Sequence, residues 1–205
     1  MTTGPTIFVV DDDAGVSKAL ASAGALLGLP VRAFASAADF LAAYDPAAPG
    51  CLVLDVKMPG MTGLELLRKL ADDGVRIPVV MVSGHADVRI AVEAMTLGAL
   101  TLLEKPFRLD EVIGHLRAAL ARDAANRATA SRQDAAAGRL AALTPKEREV
   151  LERIARGATN KDIAAELGLS VRAVEDRRAR LMKKMDARSV TDLVWVISAT
   201  GDPGA

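Results

Sequence analysis

The chain has 205 residues, 51% of them apolar and 25% charged, with Lys and Arg balanced by Asp and Glu to a formal net charge of zero. That composition is typical of a soluble globular protein, long enough for one large domain or two smaller ones. The single cysteine, Cys51, excludes an intramolecular disulfide framework. The opening residues MTTGPT lack a signal-peptide pattern, and no apolar run approaches the ~20 residues that cross a bilayer, so a cytoplasmic location without a membrane partner is expected.

Taken in order, the first half alternates strand and helix patterns five times, which predicts a parallel sheet with helices on both faces. Strands are expected near 6–10, 31–34, 51–54, 77–82 and 100–103, and helices near 15–27, 36–43, 62–72 and 86–97, with a fifth beginning near Leu109. Polar residues follow four of the apolar runs. Residues 7–10 end in Asp11, Asp12 and Asp13, residues 52–54 in Asp55, residues 77–82 in Ser83, and residues 100–103 are followed by Glu104 and then Lys105. In an open parallel sheet the carboxyl ends of the strands face one crevice, so these side chains converge. Carboxylates at close range repel one another and need a counterion, and an oxygen-only donor set with room for water suits Mg²⁺. Asp13 is better placed as the cap of the following helix.

The acidic pair, the lone Asp55, the Ser83 hydroxyl and Lys105-Pro106 together resemble the receiver domain of bacterial response regulators, and SGHADVRIAVEAM and GALTLLEKPF resemble its FixJ-like group. The resemblance implies strand order 2-1-3-4-5 and a cis Lys105-Pro106 bond. It implies that a sensor histidine kinase donates a phosphoryl group to Asp55, that Mg²⁺ is held by Asp11, Asp12, Asp55 and the backbone carbonyl of Lys57, and that Lys105 contacts the phosphoryl oxygens. It also makes Ser83 a switch hydroxyl and places receiver dimerisation on residues 86–104. The family's aromatic three positions before the lysine is Leu102 here. Lys57 and His85 overlook the phosphoryl site; His85 reads as a solvated loop residue and His115 as an ordinary helix side chain.

Residues 122–139 are rich in alanine, with scattered charge and no apolar stripe, and read as a partly helical linker between residues 1–121 and 140–205. Charge divides there too. Residues 1–120 hold 10 Lys or Arg against 14 Asp or Glu, and residues 121–205 hold 16 against 12, which hints at an anionic partner for the second half.

That half reads as four short helices. Thr144-Pro145-Lys146-Glu147 is a capped helix start running toward Gly157; a second helix follows Thr159 and closes at Gly168; Ser170 caps a third over 171–185; a fourth spans about 189–199. NKDIAAELG and VRAVEDRRARLMKKM form a helix-turn-helix, and with LTPKEREVL and RSVTDLV the unit resembles the LuxR-type DNA-binding domain, a small all-α four-helix fold. In the third helix Val174, Leu181 and Met185 form the packed side, while Arg172, Arg177, Arg178, Arg180, Lys183 and Lys184 carry charge. The resemblance places Glu175, Asp176 and Ala179 at base edges of promoter DNA, and Lys161, Arg172, Arg177, Arg178, Arg180 and Lys183 at phosphates. Lysine or valine is usual at the first two, and two acids there repel phosphates unless one accepts from a cytosine amino group. Val190, Leu193, Val194 and Ile197 form a stripe expected to be mostly core, with Trp195 exposed beside it.

The reading is a DNA-binding transcriptional response regulator, not an enzyme in the usual sense, that dimerises on phosphorylation and has RNA polymerase as a further partner. One alternative is a regulator that binds DNA regardless of phosphorylation. Another is an aspartyl-phosphate phosphatase of the haloacid dehalogenase type, whose D-x-D-x-[TV] pattern begins at Asp11 but is broken by Gly15.

Overall fold

The computed structural model describes residues 4–85 and 87–200, in two compact units divided at Arg127 and Ala128. The first unit holds β1 (Thr6–Val10), α1 (Ala14–Leu27), β2 (Val31–Phe34), α2 (Ala37–Ala43), β3 (Gly50–Asp55), α3 (Gly63–Asp72), β4 (Val79–Ser83), α4 (Val88–Thr96) and β5 (Thr101–Glu104). Its five strands are all parallel in the order β2-β1-β3-β4-β5. Strand β4 begins at Val79 and not at 77, because Pro78 has no N–H to give the ladder.

Successive side chains of a strand point to opposite faces, and the two cores follow that period. Phe8, Val10, Leu52, Leu54 and Met81 meet Phe40, Leu66 and Leu70 on one face. Ile7, Val9, Cys51, Val53 and Val82 meet Leu20 and Leu116 on the other. Each fully buried leucine of this kind contributes about 1.5–3 kcal/mol, which fixes the register of the central strands and with it the position of their tips. Cys51 is a buried thiol whose pKa burial pushes up to about 12, so it packs as a small apolar residue.

Helix α5 (Leu109–Ala141) corrects the expectation of a partly helical linker, since 122–139 is helical throughout. Alanine favours the helix, and two residues of the stretch are buried without forming an apolar stripe. Asp123 accepts from the buried Gly50 N–H at 2.9 Å and pairs with Arg127 one turn on. Arg127 in turn donates to the carbonyls of Ala47 and Ala48. Farther along, Ala136 and Leu140 belong to the core of the second unit.

That unit adds α6 (Pro145–Ala155), α7 (Asn160–Leu167), α8 (Val171–Met185) and α9 (Val190–Thr200). Thr144 with Glu147 and Thr159 with Asp162 form reciprocal capping boxes, and Ser170 caps α8, so each start is fixed by residues legible in the sequence. Val174, Leu181 and Met185 are buried in the core, which also takes Val150, Leu151 and Ile163. Helix α9 departs from the expected stripe. Leu193, Val196 and Ile197 are buried, whereas Val190 and Val194 are 38% and 43% exposed beside Trp195 at 54%. The packed arc is rotated to bring Val196 inward, and Val190 stands at the helix start outside the packed turns.

Candidate metal centre and nucleic-acid interface

The ends of β1 and β3 deliver Asp11 and Asp55, both buried, to one crevice beside the exposed Asp12. One carboxylate oxygen from each of the three lies within 4.8 Å of the others. An all-oxygen set of this size fits a hard divalent cation. Lys105, just past β5, bridges the two buried acids, its Nζ donating to Asp11 Oδ2 and to Asp55 Oδ1 at 2.7 Å each. The remaining oxygens are also used: Asp11 Oδ1 accepts from the Asp13 N–H and Asp55 Oδ2 from the Lys57 N–H, each at 2.9 Å. Lys57 itself stands on the loop after β3.

Burial pushes the Asp11 carboxyl above its usual value, against the opposing pull of Lys105 and the Asp13 N–H. Burial works to lower the Lys105 ammonium, but its hydrogen bonds to Asp11 and Asp55 outweigh that and its pKa is raised. Asp13 caps α1, its side chain accepting from the Gly15 N–H at 2.7 Å. Gly63, opening α3, is required by contact: a Cβ there would stand 2.0 Å from the backbone oxygen of Asp55, and any side chain would displace the strand tip.

Ser83, at the end of β4, is buried and does not face Asp55 with a bond. Its hydroxyl donates to the His85 carbonyl at 2.9 Å and accepts from the His85 N–H at 3.2 Å. His85 is exposed, and Leu102 is half-buried against the core. The Lys105-Pro106 bond is cis.

In the second unit, α7 and α8 form the helix-turn-helix. Arg172, Glu175, Asp176, Ala179, Arg180 and Lys183 are all exposed and occupy the side of α8 opposite Val174, Leu181 and Met185. Arg177 is half-buried at the margin, and Lys161 is exposed on α7. Arg178 donates through Nη1 to Asn160 Oδ1 at 2.9 Å, a brace between the two helices that spacing alone did not reveal. Lys184 is drawn away from the outer face: its Nζ bonds Glu147 at 2.7 Å and the Ala142 carbonyl at 3.3 Å. The Lys184 ammonium and the Thr144 N–H hold the Glu147 carboxyl down at about 2. No described helix is long and apolar enough to cross a membrane.

The model of the response regulator receiver domain matches residues 7–117, and that of the luxR family of bacterial regulatory proteins matches residues 141–197. The transcriptional regulatory protein FixJ of Azorhizobium caulinodans is 45% identical over 95% of this chain and 92% of its own. The response regulator protein TodT of Pseudomonas putida is 40% identical over 96% of this chain and 86% of its own. Among solved structures, response regulator StyR superposes with a TM-score of 0.87 at 37% identity, covering 96% of this chain and 99% of that one. Both halves match regulator families, so the phosphatase alternative is set aside. The chain belongs to the two-component response regulators that join a receiver domain to a LuxR-type DNA-binding domain, and is a transcription regulator.

Proposed function

We propose that Asp55 is the phospho-acceptor of this regulator. The observation that carries the reading is the acidic crevice in which Asp55 and Asp11 share the single ammonium of Lys105 at 2.7 Å each. A carboxylate oxygen of Asp55 forms a bond to phosphorus as the phosphorus–nitrogen bond of a kinase phosphohistidine breaks, the imidazole nitrogen keeping the electron pair. Lys105 then stabilises charge on the transferring oxygens. Asp11, Asp12, Asp55 and the Lys57 carbonyl would hold Mg²⁺, which supplies positive charge for those oxygens. The same site would support the regulator's own dephosphorylation by water.

Ser83 is the switch. Turning its hydroxyl to a phosphoryl oxygen gives up the bonds to His85, a contact made in one state only, which is what shifts a population. The pairing surface is 86–104, of which Ala86 lies outside the described residues. Val88, Val92 and Met95 recur at i, i+4 and i+7 on α4 with 80%, 60% and 50% exposure, an apolar row that a second copy would cover. Residues 1–121 form the receiver, 122–139 the connecting helix and 140–205 the DNA-binding domain. There Lys161, Arg172, Arg177, Arg178, Arg180 and Lys183 serve phosphates, while Glu175, Asp176 and Ala179 face bases. A cytoplasmic sensor kinase output, promoter DNA and RNA polymerase complete the partners.

The test is phosphorylation by a small-molecule donor such as phosphoramidate with Mg²⁺, mapped by peptide mass spectrometry. The phosphoryl group is expected on the peptide containing Asp55 and absent from Asp55→Asn; a group that persists in that variant contradicts the assignment.

A further inference from the structure

The two acids on the outer face of α8 do not fit an element that approaches a polyanion, and the surroundings give them no structural employment. Asp176 has Arg172 one turn before it and Arg180 one turn after, at the spacing that forms ion pairs on a helix. Its carboxylate is paired with neither; the Arg180 Nε instead bonds the Asp176 backbone carbonyl at 3.3 Å. Glu175 is likewise exposed, and among the described residues its side chain has no hydrogen-bond or ion-pair partner. Ala179 lies one turn along and carries only a methyl group, and Asp176, Ala179 and Arg180 line a shallow concavity. The carboxylate of Asp176 is therefore presented in the middle of a cationic face, beside a residue short enough to admit a base edge.

A carboxylate only accepts hydrogen bonds, and this restricts what it can meet in the major groove. Guanine offers two acceptors there, and thymine an acceptor and a methyl group. Adenine sets its amino donor beside the acceptor N7, which a second carboxylate oxygen would oppose. Cytosine offers its N4 amino group with no acceptor of its own alongside. Resting on the reading of α8 as the element that enters the groove, we propose that Asp176, flanked by Glu175, selects sites carrying cytosine by accepting from its N4 amino group. The neighbouring Arg172, Arg180 and Lys183 offset the repulsion between these acids and the phosphates.

Selection of duplexes from a randomised pool by the full chain tests this, with Asp176→Asn and Asp176→Ala selected in parallel. The wild type is expected to enrich cytosine at one fixed position of each bound site, and exchange of that C·G pair for T·A should weaken binding about 5- to 100-fold. Asp176→Asn should move the enriched base toward adenine, whose donor and acceptor match an amide, and Asp176→Ala should level the preference at that position alone. Identical enriched sequences from all three proteins overturn the proposal while leaving DNA binding by α8 intact. Failure to enrich any duplex, with retention of bulk DNA unchanged by Arg172→Ala and Lys183→Ala, overturns the placement of α8 and the proposal together.

Discussion

The crevice of the receiver and the outer face of α8 both carry charge of mixed sign, but they handle it in opposite ways. In the crevice the acids are buried, at 3% exposure for Asp11 and 4% for Asp55, and one ammonium bridges them. On α8 the charges are solvated and, at Asp176, left unpaired among the described residues although oppositely charged neighbours stand one turn away. The first arrangement fixes geometry before a reaction, because removing one member leaves another without compensation. The second keeps its groups available to a partner that has yet to arrive, and each is worth little alone. Single substitutions should therefore act all-or-none in the receiver and by increments on α8.

Asp55→Asn gives the largest effect expected. It should abolish phosphorylation while the receiver still folds, since the amide oxygen keeps one of the two hydrogen bonds, from Lys105 or from the Lys57 N–H, and Lys105 keeps its bond to Asp11. Lys105→Ala comes next. Stripping the ammonium from two buried carboxylates should cost about 3–5 kcal/mol in urea unfolding of the receiver at neutral pH. That cost should shrink on acidification, because Asp11, already pushed upward by burial, then takes a proton. A cost that stays the same as the pH is lowered through the carboxylate range would mean that the pair is not electrostatically coupled.

Glu147→Gln probes a comparable network in the second unit. The Glu147 carboxyl lies at about 2 against an ordinary 4.5, so its stabilisation is present above pH 4.5 and is lost as pH falls toward 2. The variant should be less stable than the wild type by about 1.5–3 kcal/mol at pH 7, with the gap closing near pH 2. A gap independent of pH would assign Glu147 to packing alone. Lys183→Ala should do least. It should leave stability unchanged, weaken binding across unrelated duplexes, and reduce the slope of log affinity against log salt by about 0.9, the share of one phosphate contact.

The same contrast explains what the sequence could and could not disclose. Strand tips are legible because an apolar run has a period and an end, so topology alone brings Asp11, Asp55, Ser83 and Lys105 to the same end of the sheet. The capping boxes at Thr144 and Thr159 were legible because they are local chemistry at fixed spacing. The connecting helix was not. Its anchors, Asp123 accepting from Gly50 and Ala136 in a core, are an acid and an alanine that carry no apolar signal and depend on partners far along the chain. Nor was the rotation of α9, where Val194 and Val196 are chemically interchangeable and only the packing of neighbouring helices chooses between them. On α8, periodicity separated the packed side from the charged one. It could not show that Arg178 bonds Asn160 or that Lys184 bonds Glu147, because both bonds reach other helices.

The central claim joins Asp55 to a change of assembly, and the particle mass in sedimentation, with and without beryllofluoride and Mg²⁺, tests it most directly. Beryllofluoride stands in for the phosphoryl group on Asp55. The wild type is expected to pass from monomer to dimer on its addition, and Asp55→Asn to stay monomeric; a wild type whose mass does not change, or a variant that dimerises equally, would contradict the account.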